Sequence, residues 1–297
     1  MSKRALVLGG GGPVGIAWEC GLVAGIAQGG VKLADADFIM GTSAGSFVGA
    51  RLALGVDAQS LADAILAEAQ RERPAPSSDA RASDRPADTG GLMQLLAGEG
   101  MEGASPDQIL AKVGAFALGA KTMDEDAFIA TFGRSFASLP DEAWPDRGFA
   151  CSAIDASTGE FQLWTKESGV GVTRAVASSC AVPGIYPPVT IKGRRYYDGG
   201  IRSGTNADLA TGYDKLVIVA LRIGGTGPAA ERAAQRLDRE VKSLEEGGAK
   251  VEVVTPDTAS QDAFGPNLMD FRKRPGAVAA GLAQGKAEAA RLSGFWN

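Results

Sequence analysis

The feature that most constrains the fold is a strand, a glycine-rich turn and a helix that occur twice near the N-terminus. The apolar strand Arg4–Leu8 runs into Gly9–Gly12, and apolar residues then recur at helical spacing over Gly15–Gln28. A second short strand, Phe38–Met40, ends in the turn Gly41–Gly45, after which helical spacing resumes. Two such repeats in succession predict an α/β fold with a mainly parallel sheet.

The rest of the chain predicts further strands and helices of the same fold. The Ser157–Gly159 turn separates two alternating segments and predicts a β-hairpin. Val189–Ile191 and Arg194–Tyr197 are predicted to pair around Lys192-Gly193. Further strands are predicted at Phe149–Ile154, Glu160–Thr165, Val189–Ile191, Arg194–Tyr197, Lys215–Leu221 and Val251–Val254. Further helices are predicted at Ala58–Gln70, Pro106–Leu118, Asp124–Phe136, Thr173–Ser179, Pro228–Glu246 and Gly276–Leu292. A chain of 297 residues, 45% of them hydrophobic, predicts one large domain over 1–297.

Residues 56–140 differ in character from the rest of the chain. The stretch 71–91 is rich in Pro, Ser, Asp, Arg and Ala and has almost no large apolar residue, which predicts a mobile loop. Helical segments lie on both sides of this loop. We therefore predict that 56–140 is a helical and loop insertion, forming either a cap or a plain helical layer packed on the sheet.

Charge and apolar run length exclude several classes of protein. The chain has 30 Lys and Arg against 35 Asp and Glu, a net charge of −5, whereas nucleic-acid binders are basic. No window approaches the roughly 18 apolar residues of a membrane span, and the first apolar run is too short for a signal peptide. Three scattered cysteines predict no disulfide framework. We expect a cytoplasmic protein with transient peripheral membrane contact and no nucleic-acid partner.

The chain contains no histidine. This absence removes the usual general base of a hydrolase, every Ser-His-Asp triad and the commonest zinc ligand. Any hydrolase built from this sequence must therefore deprotonate its nucleophile with another side chain. No metal and no organic cofactor is predicted.

The segment Gly41-Thr-Ser43-Ala-Gly45 fits the Gly-x-Ser-x-Gly pattern of a nucleophile elbow, between a strand and a helix as that pattern requires. Gly41 and Gly45 are expected to support the turn because side chains at these positions would clash. The N-terminus of the following helix would stabilise negative charge that develops nearby. The alternative is an ordinary strand-to-helix turn capped by Thr42 or Ser43.

The glycine run after the first strand exposes consecutive backbone N–H groups, which suits the binding of an oxyanion. Because Pro13 has no N–H, the donors are expected to be Gly10, Gly11 and Gly12. The alternative is a dinucleotide-binding oxidoreductase, since Gly10, Gly12 and Gly15 satisfy Gly-x-Gly-x-x-Gly. That fold needs an acidic residue at the end of the second strand, and here the strand ends in the serine turn.

Asp198 follows a predicted strand and precedes Gly199 and Gly200. Most Asp-Gly-Gly triplets are ordinary turns. Without histidine, however, some other acceptor must take the proton of the Ser43 hydroxyl. A carboxylate is a weak base toward serine, but it serves when it is desolvated and when proton transfer coincides with attack. We therefore predict Asp198 as the partner of Ser43.

Taken in order, the glycine run, Gly-Thr-Ser-Ala-Gly, Ser-Cys-Ala-Val-Pro and Asp-Gly-Gly resemble the patatin-like phospholipase family. The resemblance covers Leu6–Leu54 and Ala175–Leu221. It implies a three-layer α/β/α sandwich with a mainly parallel central sheet, a Ser43–Asp198 dyad and an oxyanion hole at Gly10–Gly12. It also implies hydrolysis of acyl esters in phospholipids, lysophospholipids or related lipids.

Four further residues carry open interpretations. Val14 stands where the family often has a basic residue. Arg194 and Arg195 either draw a phosphate head group toward Asp198 or form a solvated strand face. Asn206 is predicted to cap the segment that follows it. The alternative function is a catalytically silent lipid-binding or scaffolding protein of the same fold.

Overall fold

The chain folds into two compact units. The computed structural model describes residues 2–70, 91–92, 94–95, 103–221 and 228–297. The first unit spans 1–70, 145–150 and 203–297, and the second unit spans 71–144 and 151–202. The predicted mobile loop 71–91 lies, apart from Gly91, outside the described residues. The single domain over 1–297 stays a prediction.

The described part of the first unit contains a parallel sheet with the strand order β2–β1–β7–β8. These strands are β1 (Arg4–Leu8), β2 (Phe38–Gly41), β7 (Lys215–Val219) and β8 (Lys250–Val254). In the register of β1 and β2, Leu8 lies beside Gly41. The chain therefore leaves both strands at the same edge of the sheet, which is where α/β proteins build their binding sites.

Helices flank this sheet in the first unit. They are α1 (Gly12–Gln28), α2 (Ala44–Ala53), α3 (Ala58–Gln70), α7 (Pro228–Glu246), α8 (Thr258–Phe264) and α9 (Arg274–Trp296). The strands pack apolar side chains against these helices, and every residue of β1 from Ala5 to Leu8 is fully buried. The first unit thus confirms the predicted α/β architecture and its parallel sheet.

Glycines on α1 and α9 allow these two helices to pack backbone against backbone. A Cβ atom at Gly21 would collide with the Val278 carbonyl, and one at Gly281 would collide with the Trp18 carbonyl. Helices this close gain dispersion contacts along their whole length of overlap. This packing fixes α1, whose first residue belongs to the glycine-rich loop, against the C-terminal part of the chain.

The second unit contains antiparallel strands and its own helices. They are β3 (Gly148–Asp155, which starts in the first unit), β4 (Phe161–Trp164), β5 (Val189–Ile191), β6 (Arg194–Asp198), α4 (Pro106–Gly119), α5 (Glu125–Phe136) and α6 (Val172–Ser179). Antiparallel pairing joins β3 to β4, β3 to β6 and β5 to β6. The predicted hairpin is therefore confirmed as β3 and β4, and the predicted pairing around Lys192-Gly193 is confirmed as β5 and β6.

Candidate active site

Ser43 lies in a strained turn between β2 and α2. Its φ and ψ angles are 52° and −116°, outside the regions that residues with a side chain ordinarily adopt. Among the described residues, only Lys192 and Asn206 are further non-glycine positions with positive φ. Such strain costs on the order of 1–3 kcal/mol and is found mostly at functional sites. This backbone agrees with the strained turn that a nucleophile elbow requires, and the role of Ser43 as nucleophile stays a prediction.

Close backbone contacts leave no room for a side chain at Gly41 or Gly45, the glycines of the turn that contains Ser43. A Cβ atom at Gly41 would collide with the backbone of Ser46, and one at Gly45 would collide with the Leu8 carbonyl. The Gly45 N–H donates to the Gly9 carbonyl oxygen at 2.9 Å, which ties the elbow to the end of β1. The side chain of Ser43 makes no capping bond to α2, so the alternative of a helix cap by Ser43 is wrong.

The glycine loop lies directly beside Ser43. A Cβ atom on Gly10 would lie only 3.4 Å from Ser43 Cβ. The Gly10 N–H, however, already donates to the Gly204 carbonyl oxygen at 2.7 Å. Within the described part of the chain, the N–H groups of Gly11 and Gly12 have no such acceptor. Of the three predicted oxyanion donors, Gly10 is therefore occupied, and Gly11 and Gly12 remain.

Asp198 is the last residue of β6, in the second unit, and is 4% exposed. Its N–H donates to the Ala181 carbonyl oxygen at 3.1 Å, and its Oδ1 accepts from the Gly200 N–H at 2.7 Å. A Cβ atom at Gly199 would collide with the Ser152 side chain. These contacts fix the orientation of the Asp198 carboxylate and explain Gly199, while its pairing with Ser43 stays a prediction.

Comparison with protein families decides the assignment. The family model described as patatin-like phospholipase matches residues 6–211, a segment that contains the glycine loop, the elbow and Asp198. The chain belongs to the patatin-like phospholipase family. Membership supports lipid acyl hydrolysis as its general activity.

Two solved structures resemble this family member at low sequence identity. VipD from Legionella pneumophila matches with 13% identity and a TM-score of 0.46, over 98% of this chain and 67% of its own. The type III effector protein ExoU matches with 16% identity and a TM-score of 0.35, over 96% of this chain and 54% of its own. This patatin-like chain thus spans about two thirds of VipD and about half of ExoU. No curated protein matches it.

The patatin-like chain uses both candidate head-group arginines in contacts of its own. Arg194 Nε lies 2.7 Å from Asp155 Oδ2, and its Nη2 lies 3.4 Å from Glu160 Oε2. Arg195 donates through Nε and Nη2 to the Pro188 carbonyl oxygen, at 3.0 and 2.7 Å. A head group would have to compete with these acceptors, so a role of Arg194 and Arg195 in binding stays a prediction.

Asn206 has a different role from the predicted one. Its side chain makes no capping hydrogen bond to the 3₁₀ turn Ala207–Leu209, so the predicted cap is wrong. Instead its Nδ2 donates to Thr42 Oγ1 at 3.1 Å and to the Ser203 carbonyl oxygen at 2.9 Å. Asn206 therefore holds the residue next to Ser43. No local pattern signals this contact, because the two partners are 164 positions apart.

The described residues provide neither a metal site nor a membrane span. Within them, no three metal-ligating side chains come close enough together to hold an ion. No described helix is both long enough and apolar enough to cross a bilayer.

Glu19 is a fully buried acid on α1, and neither of its carboxyl oxygens has a hydrogen-bond partner among the described residues. Burial raises the pKa of this carboxyl well above 4.5, and the nearby Gly9 N–H only partly opposes the shift. The direction of this shift means that folding favours the protonated form of Glu19.

This inference predicts a dependence of stability on pH. Because the folded state holds the Glu19 proton more tightly than the unfolded state, the contribution of Glu19 to stability is greatest below the ordinary glutamate pKa. It then falls by up to about 1.4 kcal/mol per pH unit as the pH rises above the ordinary glutamate value. Glu19→Gln should remove this contribution. Urea unfolding of both proteins between about pH 5 and pH 8 measures it, and parallel curves would contradict the prediction.

Proposed function

We propose that this protein is a serine acyl hydrolase of lipid carboxylic esters, with Ser43 as the nucleophile and Asp198 as the general base. The strained backbone of Ser43 is the observation that carries the proposal. The glycine loop beside Ser43, with the N–H groups of Gly11 and Gly12 as candidate oxyanion donors, supports it. The buried, oriented carboxylate of Asp198 supports it as well. The absence of histidine leaves no Ser-His-Asp alternative.

In the acylation step, the ester carbonyl oxygen binds to the N–H groups of Gly11 and Gly12. Ser43 Oγ attacks the carbonyl carbon while Asp198 accepts the hydroxyl proton, and the negative charge moves to the carbonyl oxygen. When the tetrahedral intermediate collapses, the alkoxide leaving group takes the proton back from Asp198. The product of this step is an acyl ester on Ser43.

In the deacylation step, Asp198 takes a proton from water as the water oxygen attacks the acyl carbon. Collapse of the second intermediate returns that proton to Ser43 Oγ and releases the fatty acid. A carboxylate is a weak base for both steps. We propose that it suffices because each proton moves in the same event that forms the new bond, with the developing charge stabilised by the loop amides and the N-terminus of α1.

The alternative function is a catalytically silent lipid-binding or scaffolding protein. A fluorophosphonate probe separates the two, because an activated Ser43 displaces fluoride from phosphorus and keeps the phosphonyl group. Peptide mass spectrometry should find the label on Ser43. A folded protein that resists labelling, with or without lipid present, would favour the silent alternative. Phospholipid, lysophospholipid and simpler acyl esters are the substrate classes to compare.

We further propose that the loop 265–273 makes the peripheral contact with a lipid surface. This loop lies against the end of the glycine loop, because a Cβ atom at Gly12 would collide with Met269 Sδ. The Val14 N–H, in the first turn of α1, also donates to the Leu268 carbonyl oxygen at 3.1 Å. Phe271 in this loop is 45% exposed, and the basic residues Arg272 and Lys273 follow it and are exposed. Arg272 pairs with Asp270, through bonds of 2.8 and 2.9 Å, so Lys273 is the cation offered to an anionic surface. An exposed aromatic ring beside basic side chains suits the interface of an anionic bilayer.

Phe271→Ser should lower activity on vesicles and spare activity on a soluble ester. We expect about a 5- to 10-fold loss of kcat/KM with phosphatidylcholine vesicles containing phosphatidylserine, because the ring can no longer bury apolar area in the interface. Hydrolysis of a short p-nitrophenyl ester measures the chemistry alone. Leu118→Ser, which removes another exposed side chain (43%), is the control. Equal losses in both variants would contradict this docking surface.

A further inference from the structure

Glu240 is a buried acid on α7 that receives hydrogen bonds from the segment 203–207. It is 3% exposed. Its Oε2 accepts from Thr205 Oγ1 at 2.6 Å and from the Ala207 N–H at 3.0 Å. Its Oε1 accepts from Arg236 Nε at 3.2 Å. Burying a carboxyl group costs free energy unless donors satisfy its oxygens. The three donors around Glu240 satisfy them, and the two that belong to the segment 203–207 fix its geometry.

The segment 203–207 in turn binds both catalytic loops of the first unit. The Gly204 carbonyl oxygen accepts from the Gly10 N–H at 2.7 Å, inside the glycine loop. The Thr205 carbonyl oxygen accepts from Thr42 Oγ1 at 3.2 Å, next to Ser43. One short segment thus sets the position of the oxyanion loop relative to the nucleophile elbow.

We propose that Glu240 is a positioning residue of the active site, which acts through the segment 203–207 on the glycine loop and on the serine elbow. The inference rests on the proposed function, because it concerns the geometry of that same site. Glu240 lies beyond residues 6–211, the part of the chain that the family model matches. The C-terminal part of this chain therefore contributes to the site.

One carboxylate oxygen of Glu240 is the acceptor that holds the segment 203–207 in place. Its Oε2 satisfies two buried donors at once, and both donors, on Thr205 and Ala207, lie within three residues after Gly204. Without this oxygen, the Thr205 hydroxyl and the Ala207 N–H stay buried and unpaired, and the backbone must shift to satisfy them. A shift of the Gly204 carbonyl would move Gly10, and with it the amides of Gly11 and Gly12.

Glu240→Ala should therefore lower kcat on a soluble ester by about 10- to 100-fold, since small displacements of oxyanion donors have effects of this size. KM should change by less than about 3-fold, because the substrate contacts are not removed. Glu240→Gln keeps one acceptor oxygen and should restore most of the rate. Glu245→Ala, an exposed acid on the same helix, is the matched control and should keep wild-type kinetics.

Hydrogen exchange gives a readout that does not depend on hydrolysis. The Gly10 amide should exchange at least about 10-fold faster in Glu240→Ala than in wild type or in Glu240→Gln, because its acceptor has moved. If the wild type hydrolyses no ester, the proposed function fails, and the exchange of Gly10 still decides this inference. Should Glu240→Ala not fold, Thr205→Val removes only the hydroxyl donor and is measured in its place. A folded variant with wild-type kcat and wild-type Gly10 exchange would overturn the inference.

Discussion

Replacing Ser43 by alanine is expected to lower kcat/KM for a short p-nitrophenyl ester by at least about 10³-fold, because the acyl group then has no atom to attach to. The loss should lie in kcat, and labelling by a fluorophosphonate should disappear with it. Stopped assays at matched protein concentration measure the loss in kcat and the loss of labelling. Circular dichroism checks that the variant is folded. Ser243→Ala, an exposed serine on α7, is the control for loss of a hydroxyl elsewhere.

The strain at Ser43 sharpens this test, because it links activity to stability. Both Ser43→Ala and Ser43→Gly lack the nucleophile, but only glycine adopts a φ of 52° without a steric penalty. Ser43→Gly should therefore be more stable than Ser43→Ala, by about 1 kcal/mol. Urea unfolding of the two variants measures the difference. Equal stabilities would mean that the elbow is not strained, and residual turnover above a tenth of wild type in either variant would remove Ser43 from the mechanism.

Local patterns in the sequence predict much of this fold. The bounds of β1, β5, α3 and α7 agree with the predicted ones, because each has a clear apolar period between turn residues. The short helix α8 is missed, since seven residues give too little periodicity to recognise. The pairing of β5 with β6 is predicted, because the two strands are joined by a tight turn. The pairing of β3 with β6 goes beyond the sequence, because strand partners far apart in the chain leave no local signal.

In the candidate site as well, local features are predictable from the sequence and contacts between distant residues are not. Ser43 and the glycines around it are predictable, since a strand, a tight turn and a helix lie within one short stretch. The hydrogen bond that occupies the Gly10 N–H is not predictable, because its acceptor Gly204 is distant in sequence and belongs to no motif. Asn206 shows the same limit: the sequence marks a residue suited to hydrogen bonding but not which donor or acceptor it meets.

Asp198→Asn is expected to lower kcat/KM by at least about 10³-fold, because an amide cannot accept the proton of Ser43 or of water. Asparagine has nearly the same shape, and its carbonyl oxygen can still accept from the Gly200 N–H. The variant should therefore fold. Labelling of Ser43 by a fluorophosphonate should slow in parallel, since the same base activates the hydroxyl in both reactions.

Asp155→Asn is the matched control for this change. Asp155 is also a buried carboxylate of the second unit, and its Oδ1 also accepts a backbone N–H two residues on, that of Ser157 at 2.9 Å. Its ion pair with Arg194 makes it a structural acid, so its loss should lower stability and change kcat/KM by less than about 3-fold. Both variants replace a buried carboxylate by an amide. If only Asp198→Asn loses activity, the cause is therefore the loss of the proton acceptor. If the two variants lost activity equally, Asp198 would be a structural acid as well, and Ser43 would need another base.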